Sequence, residues 1–350
     1  MTRRLLVLVV MGALVLGACT RSSGGAGSAT PLQVYTAGPS LTQVRSTLGS
    51  STWWPGAPSF GVRPLDLEQT PQNVRFTITQ RFTHLGSAET FEVDYSAFDT
   101  VSSATTRMSN IQSALGSSVI TTPKVGDQVI YYGVKEATST ALFDTVVFVR
   151  LGQIVATADL TQDTGFASIS LLARIGNLVV TGLKSVLAGK TRPSPLASND
   201  EALLPPAATY VTLLGAARLP VEVVPVMLQS AAPEALAQTF HDLGVSDFLY
   251  GDYALNADLH MEVRASVFTF STAADAGAWI DGVIGKSNLD ANGVASQYLD
   301  PLKQYLAVFI AGSHVGILTC GSTAATEAAS RACETPLTNL IGGWQTSLSA

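Results

Sequence analysis

The chain has 350 residues, of which 47% are hydrophobic and only 13% charged, and its 20 Lys and Arg against 26 Asp and Glu leave a net charge of −6. That length admits two domains of roughly 150 residues, each able to bury its own core. An acidic chain without a Lys/Arg cluster repels polyanions, which excludes nucleic-acid binding. No glycine-rich phosphate cradle or other cofactor signature occurs, so no cofactor is expected.

The chain opens with Arg3 and Arg4, an apolar run over residues 5–16, and then Leu16, Gly17, Ala18 and Cys19. The run is too short to cross about 30 Å of hydrocarbon, so residues 1–18 read as a signal peptide. Its last residues resemble the lipobox of bacterial lipoproteins. The resemblance implies that Leu16 is the apolar position, that Gly17 and Ala18 are the small ones, and that Cys19 is lipidated and becomes the new N-terminus. The two acyl chains, palmitate among them, would hold the protein on the outer, extracytoplasmic face of the cell membrane. Thr2, Arg3, Arg4, Leu5 and Leu6 also resemble the start of a twin-arginine signal, so Sec and twin-arginine export both stay open. Cleavage removes two positive charges and no acid, taking the net charge from −6 to −8. Residues 19–38 read as the lipidated Cys and a flexible tether, because residues 20–30 (TRSSGGAGSAT) bury too little to offset their ordering entropy.

Trp53 and Trp54, followed by Pro55 and Gly56, form the most unusual local feature. They read as a loop whose aromatic faces either meet a ligand or partner, or plug the end of the core.

An internal duplication organises the rest. Residues 148–155 (FVRLGQIV) lie against residues 309–316 (FIAGSHVG) at an offset of 161, each reading as strand, tight turn and strand. The same offset sets Val179, Val180, Leu183 and Leu187 on Leu340, Ile341, Trp344 and Leu348. Upstream, Phe82 to Gly86 fall on Phe240 to Gly244, and Glu92 to Phe98 on Glu262 to Phe268. The repeats span residues 39–189 and 203–350, with a Pro-containing linker over 190–202.

Within each repeat the expected order begins with a helix, at 71–85 and at 233–244. In the first of these Val74, Phe76 and Ile78 also alternate as a strand would. Strands follow at 89–98 and 260–270, and helices at 101–114 and 272–283. Hairpins then turn at Gly152 and Gly312, and long helices close each unit at 166–187 and 323–348, the second kinked by Pro336. The predicted fold class is α+β, with two tandem similar domains, each an antiparallel sheet covered by helices.

Lipidation of Cys19 leaves Cys320 and Cys333 as an even pair, which in an exported protein favours a disulfide pinning helix to sheet. His84, His241, His260 and His314 read as structural, none having metal-site spacing. Residues 288–293 (NLDANG) resemble half a calcium loop, but Leu299 stands where a bidentate Glu is required, so they read as a turn. The strand–hairpin–helix ending resembles extracytoplasmic lipoprotein and sensor-type domains of actinobacteria, and no residue role is carried over from it. The expected function is a non-enzymatic, membrane-anchored lipoprotein with a binding, sensing or scaffolding role in the envelope. Its alternatives are a carrier of a lipid or small apolar ligand and a hydrolase with scattered catalytic groups. Expected partners are the membrane, through the lipid anchor, and an envelope protein or small apolar ligand.

Overall fold

A computed structural model describes residues 29–62, 73–135, 142–190, 198–206, 208–227, 232–256, 258–299, 304–321 and 333–349. Residues 1–18, expected to be a signal peptide, Cys19 and most of the expected linker lie outside the described residues.

Two short helices come first, α1 (Pro31–Ala37) and α2 (Leu41–Leu48). Each is opened by a capping box: the Thr30 and Ser40 hydroxyls accept the N–H groups of Gln33 and Gln43, whose side chains reach back to the cap N–H. α1 therefore corrects the tether expected over 19–38. The small polar composition ends near residue 30, and beyond it Val34 and Ala37 are buried and anchor the helix.

The first sheet contains β1 (Trp53–Pro55), β2 (Ser59–Val62), β3 (Val74–His84) and β4 (Thr90–Phe98), then, after α3 (Val101–Leu115), β5 (Gln128–Lys135), β6 (Phe143–Leu151) and β7 (Ile154–Gln162). α4 (Ile169–Leu187) closes the unit. The strand order is β1-β3-β4-β7-β6-β5 with β2 also on β3, and every pairing is antiparallel.

The second unit runs α5 (Ser198–Glu201), β8 (Val211–Pro220), α6 (Val223–Met227), α7 (Pro233–Asp242), β9 (Asp247–Leu255), β10 (Asp258–Thr269), α8 (Ala273–Val283), β11 (Val294–Leu299), β12 (Gln304–Ala311), β13 (His314–Gly321) and α9 (Glu334–Ser349). Its order, β8-β9-β10-β13-β12-β11, reproduces the six-strand path β1-β3-β4-β7-β6-β5 of the first sheet, in which β2 is an additional seventh strand. The chain is thus α+β with two similar domains, each an antiparallel sheet packed with helices.

Several expectations change in detail. Residues 74–84 form β3 and not a helix, because Phe76, Ile78 and Phe82 point to one buried face at strand spacing, while a bulge after Val74 turns that residue to the other face, toward α3. Phe82 therefore has no counterpart in Phe240, which lies in α7. The hairpin glycines Gly152 (φ 58°) and Gly312 (φ 59°) set the offset of their strands at 160, one less than the sequence pairing. The helix caps Thr100 and Thr272 set the upstream offset at 172, so Glu92 corresponds to Arg264 and not to Glu262. Pro336 kinks nothing: α9 starts at Glu334, and the first turn has no helical partner for the missing N–H.

Each closing helix covers one sheet face. Leu172, Ile175, Val179 and Leu183 of α4 are at most 1% exposed. α4 is long and apolar enough to cross a membrane by length and composition, but this stripe makes it the core helix of the first sheet. Trp344 of α9 plays the same part in the second unit, edge-on to Phe309 at 5.0 Å with its indole N–H donating to the Leu203 carbonyl. The disulfide Cys320–Cys333 joins β13 to the residue just before α9.

The two units share one apolar cluster, in which Val34, Ala37 and Phe60 of the first join Leu214, Val221 and Val223 of the second. Two glycines permit this. A Cβ at Gly182 would lie 1.9 Å from the Ala37 carbonyl oxygen, so only glycine lets α1 lie on α4, and one at Gly215 would lie 2.5 Å from the Phe60 ring.

Candidate functional site

The tryptophan pair leads into a polar cluster at the end of β3. Trp53 is 3% exposed, so it plugs the core, and its ring stacks on His84 at 5.0 Å between centroids and 18° between planes. Trp54, next along β1, points the other way, with the Arg45 guanidinium 5.2 Å above its ring. Arg45 Nε also donates to the Trp53 carbonyl at 3.0 Å, which ties α2 to β1.

His84 is held from both ring nitrogens. Nδ1 lies 2.7 Å from Glu89 Oε2, across the turn between β3 and β4, and Nε2 lies 3.0 Å from Ser50 Oγ, just past the end of α2. Ser87 adds a contact to Nδ1 at 3.0 Å and accepts the Glu89 N–H at 3.1 Å, which fixes the acid. A carboxylate only accepts, so the tautomer that donates Nδ1–H to Glu89 leaves the Nε2 lone pair toward the Ser50 hydroxyl. The side chains of His84 and Glu89 are 22% and 13% exposed. A hydroxyl, an imidazole and a carboxylate thus stand in one line, reachable from solvent at the hydroxyl end. Sequence reasoning missed this group because 34 residues separate Ser50 from His84, and the contact depends on β1 pairing with β3.

A second polar group lies where the units meet. Register places Asp252 of β9 opposite Arg264 of β10 and Gly215 of β8, with Tyr250 and Glu262 on the same face. Asp252 is fully buried, and its Oδ2 accepts the N–H of Phe60 at 3.1 Å from the other unit. Burial pushes the Asp252 carboxyl well above the usual range. The charge of the neighbouring Glu262 adds to this, while the Phe60 N–H and Arg264 oppose it. Arg264 pairs with Glu262. In the first unit the matching face carries Thr79, Arg81, Glu92 and Asp94, where Thr79 bonds Asp94 and Arg81 pairs with Glu92. Burial raises Asp94 to about 6, helped by Glu92 and opposed by the Thr79 hydroxyl.

The other sequence candidates stand apart from both groups. Cys19 lies outside the described residues, as does the side chain of His260. His241 Nε2 meets Glu222 at 3.0 Å, and His314 Nδ1 meets the Thr269 hydroxyl at 3.0 Å. Asp290 uses its carboxylate inside its own turn, accepting the N–H groups of Asn292 and Val294 at 2.8 and 2.9 Å, which lowers its pKa. Among the described residues no group of three or more His, Cys, Asp or Glu could hold a metal ion. A cavity of about 260 Å³ opens beside α3 and β5, lined by Met108, Gln112, Lys124, Asp127 and Gln128 among others.

No protein-family model and no curated protein matches the chain. Among solved structures, the extracellular domain of PknH from Mycobacterium tuberculosis is similar at 12% identity and a TM-score of 0.37, over 45% of this chain and 97% of that one.

Proposed function

We propose that the protein is an extracytoplasmic lipoprotein, held on the outer face of the cell membrane through Cys19, whose paired domains bind, sense or scaffold in the cell envelope. The observation that carries this reading is the order of the leader: Arg3 and Arg4, a short apolar run, then Leu16, Gly17, Ala18 and Cys19. The Cys320–Cys333 bond supports it, because such bonds persist in oxidising compartments. The small polar composition of residues 20–30 (TRSSGGAGSAT) supports a short tether ahead of α1, with a reach on the order of 20 Å, which would keep the body close to the bilayer. α1 touches α4, β3 and β8, so the anchor is delivered to the helix wedged between the two units.

The test is metabolic labelling with a clickable fatty acid in cells expressing the full chain. The wild type should carry the label and fractionate with membranes, and Cys19→Ser should lose both properties. An unlabelled wild type, or a Cys19→Ser form that matures and fractionates unchanged, overturns the proposal.

A further inference from the structure

Gly49, at φ 79°, ends α2 and turns the chain so that the Ser50 hydroxyl meets the end of β3. There Ser50 Oγ, His84 and Glu89 follow one another at 3.0 and 2.7 Å, the atom order by which a base activates a nucleophile and an acid orients the base. The geometry is supported at each joint. Trp53 stacks on the imidazole and sets its plane, Ser87 holds Glu89, the Thr52 N–H donates to Ser50 Oγ at 3.2 Å and eases negative charge on that oxygen, and the Thr52 hydroxyl lies 2.6 Å from it. None of these contacts is needed to build the sheet, whose ladder pairs Trp53 with His84 through the backbone.

We propose that Ser50 is an activated nucleophile that takes an acyl group from an ester. Oγ attacks the carbonyl carbon while its proton passes to His84 Nε2. The ester C–O bond then breaks, and the departing alcohol takes that proton. Water attacks the acyl-Ser50 carbonyl, gives its proton to His84, and releases a carboxylic acid as Ser50 recovers the proton. His84 is the general base and Glu89 a positioning residue that acts through it. Ser50 is half-exposed at a surface turn, so the substrates are esters presented from outside and not molecules enclosed in a deep cleft. Among the described residues no donor pair is assigned to the carbonyl oxygen, so covalent capture is the expected readout, with slow turnover behind it.

The experiment uses the purified full-length lipoprotein, a fluorophosphonate probe and peptide mass spectrometry, with p-nitrophenyl acetate hydrolysis in parallel. A single adduct on Ser50 is expected, absent in Ser50→Ala, whose fold is checked by circular dichroism. His84→Gln should slow labelling by about 10²–10⁴-fold, the usual worth of a positioned base. Glu89→Gln should slow it less, and Glu89→Asp should restore part of the loss, which a merely structural acid would not do. If His84→Gln fails to fold, the Glu89 pair carries the same comparison. No adduct on Ser50, an adduct confined to another residue, or an equal rate without the relay overturns the proposal.

Discussion

Replacing Asp252 separates two accounts of how the domains are held. Its carboxyl is fully buried, accepts the Phe60 N–H and is pushed well above the usual carboxylate range by burial and by Glu262, which favours the neutral acid. Asp252→Ala leaves that N–H without an acceptor, at about 1–3 kcal/mol, and the vacated volume adds about 1 kcal/mol, so a loss of about 2–4 kcal/mol is expected. Asp252→Asn has the shape of the protonated acid: its oxygen accepts from Phe60 and its amide donates toward Glu262. It should stay within about 1 kcal/mol of the wild type. The sign of the pH effect follows. The native state keeps a proton that the unfolded chain releases above about pH 4, so this group's contribution is full in acid and declines as pH rises from there. Asp252→Asn should remove that decline. Urea titrations of both variants at several pH values, read by circular dichroism, decide the matter. If Asn proves as damaging as Ala at pH 7, the carboxylate is ionised and the neutral-acid account is wrong.

Gly182→Ala should push α1 off α4, since its Cβ would lie 1.9 Å from the Ala37 carbonyl oxygen, and limited proteolysis should then cut within residues 29–40 faster than in the wild type. Asp94, raised to about 6, should lower stability as pH climbs from about 4 to 6, by at most about 3 kcal/mol, and Asp94→Asn should flatten that segment of a urea titration series. Reducing Cys320–Cys333, which are 13 residues apart, should remove about 3 kcal/mol of stability, visible as a lower urea midpoint that returns on reoxidation.

The sequence shows that a duplication exists but not its register. Gly152 and Gly312 mark tight turns and the α4 stripe has no rival period, yet pairing residues 148–155 with 309–316 sets Gly152 on Ser313, and the upstream pairing slips by two, because a strand face repeats every second residue and tolerates such shifts in appearance. The β3 segment also carries apolar residues at helical spacing for the same reason, and edge strands such as β5 and β11 leave no clear signal because their outer residues break the alternation. The two polar groups were invisible for a different reason. Ser50 with His84, and Phe60 with Asp252, are joined across 34 and 192 residues by sheet pairing and domain docking, so no motif spacing records them.

The duplicated fold uses one surface in two ways. In the first unit the sheet face beyond α3 carries Arg81, Glu92 and Asp94, with the Arg81 side chain 66% exposed. In the second unit the matching face beyond α8 carries Asp252, Glu262 and Arg264 and receives β2, with the Phe60 ring over Gly215. Partly buried ion pairs add little net stability, because desolvation offsets their attraction. The affinity of the docked face must therefore come from Phe60 and the apolar residues clustered with it. What Asp252 adds is register: a buried acceptor that one backbone N–H can satisfy penalises every other placement of β2 by the cost of leaving it unpaired.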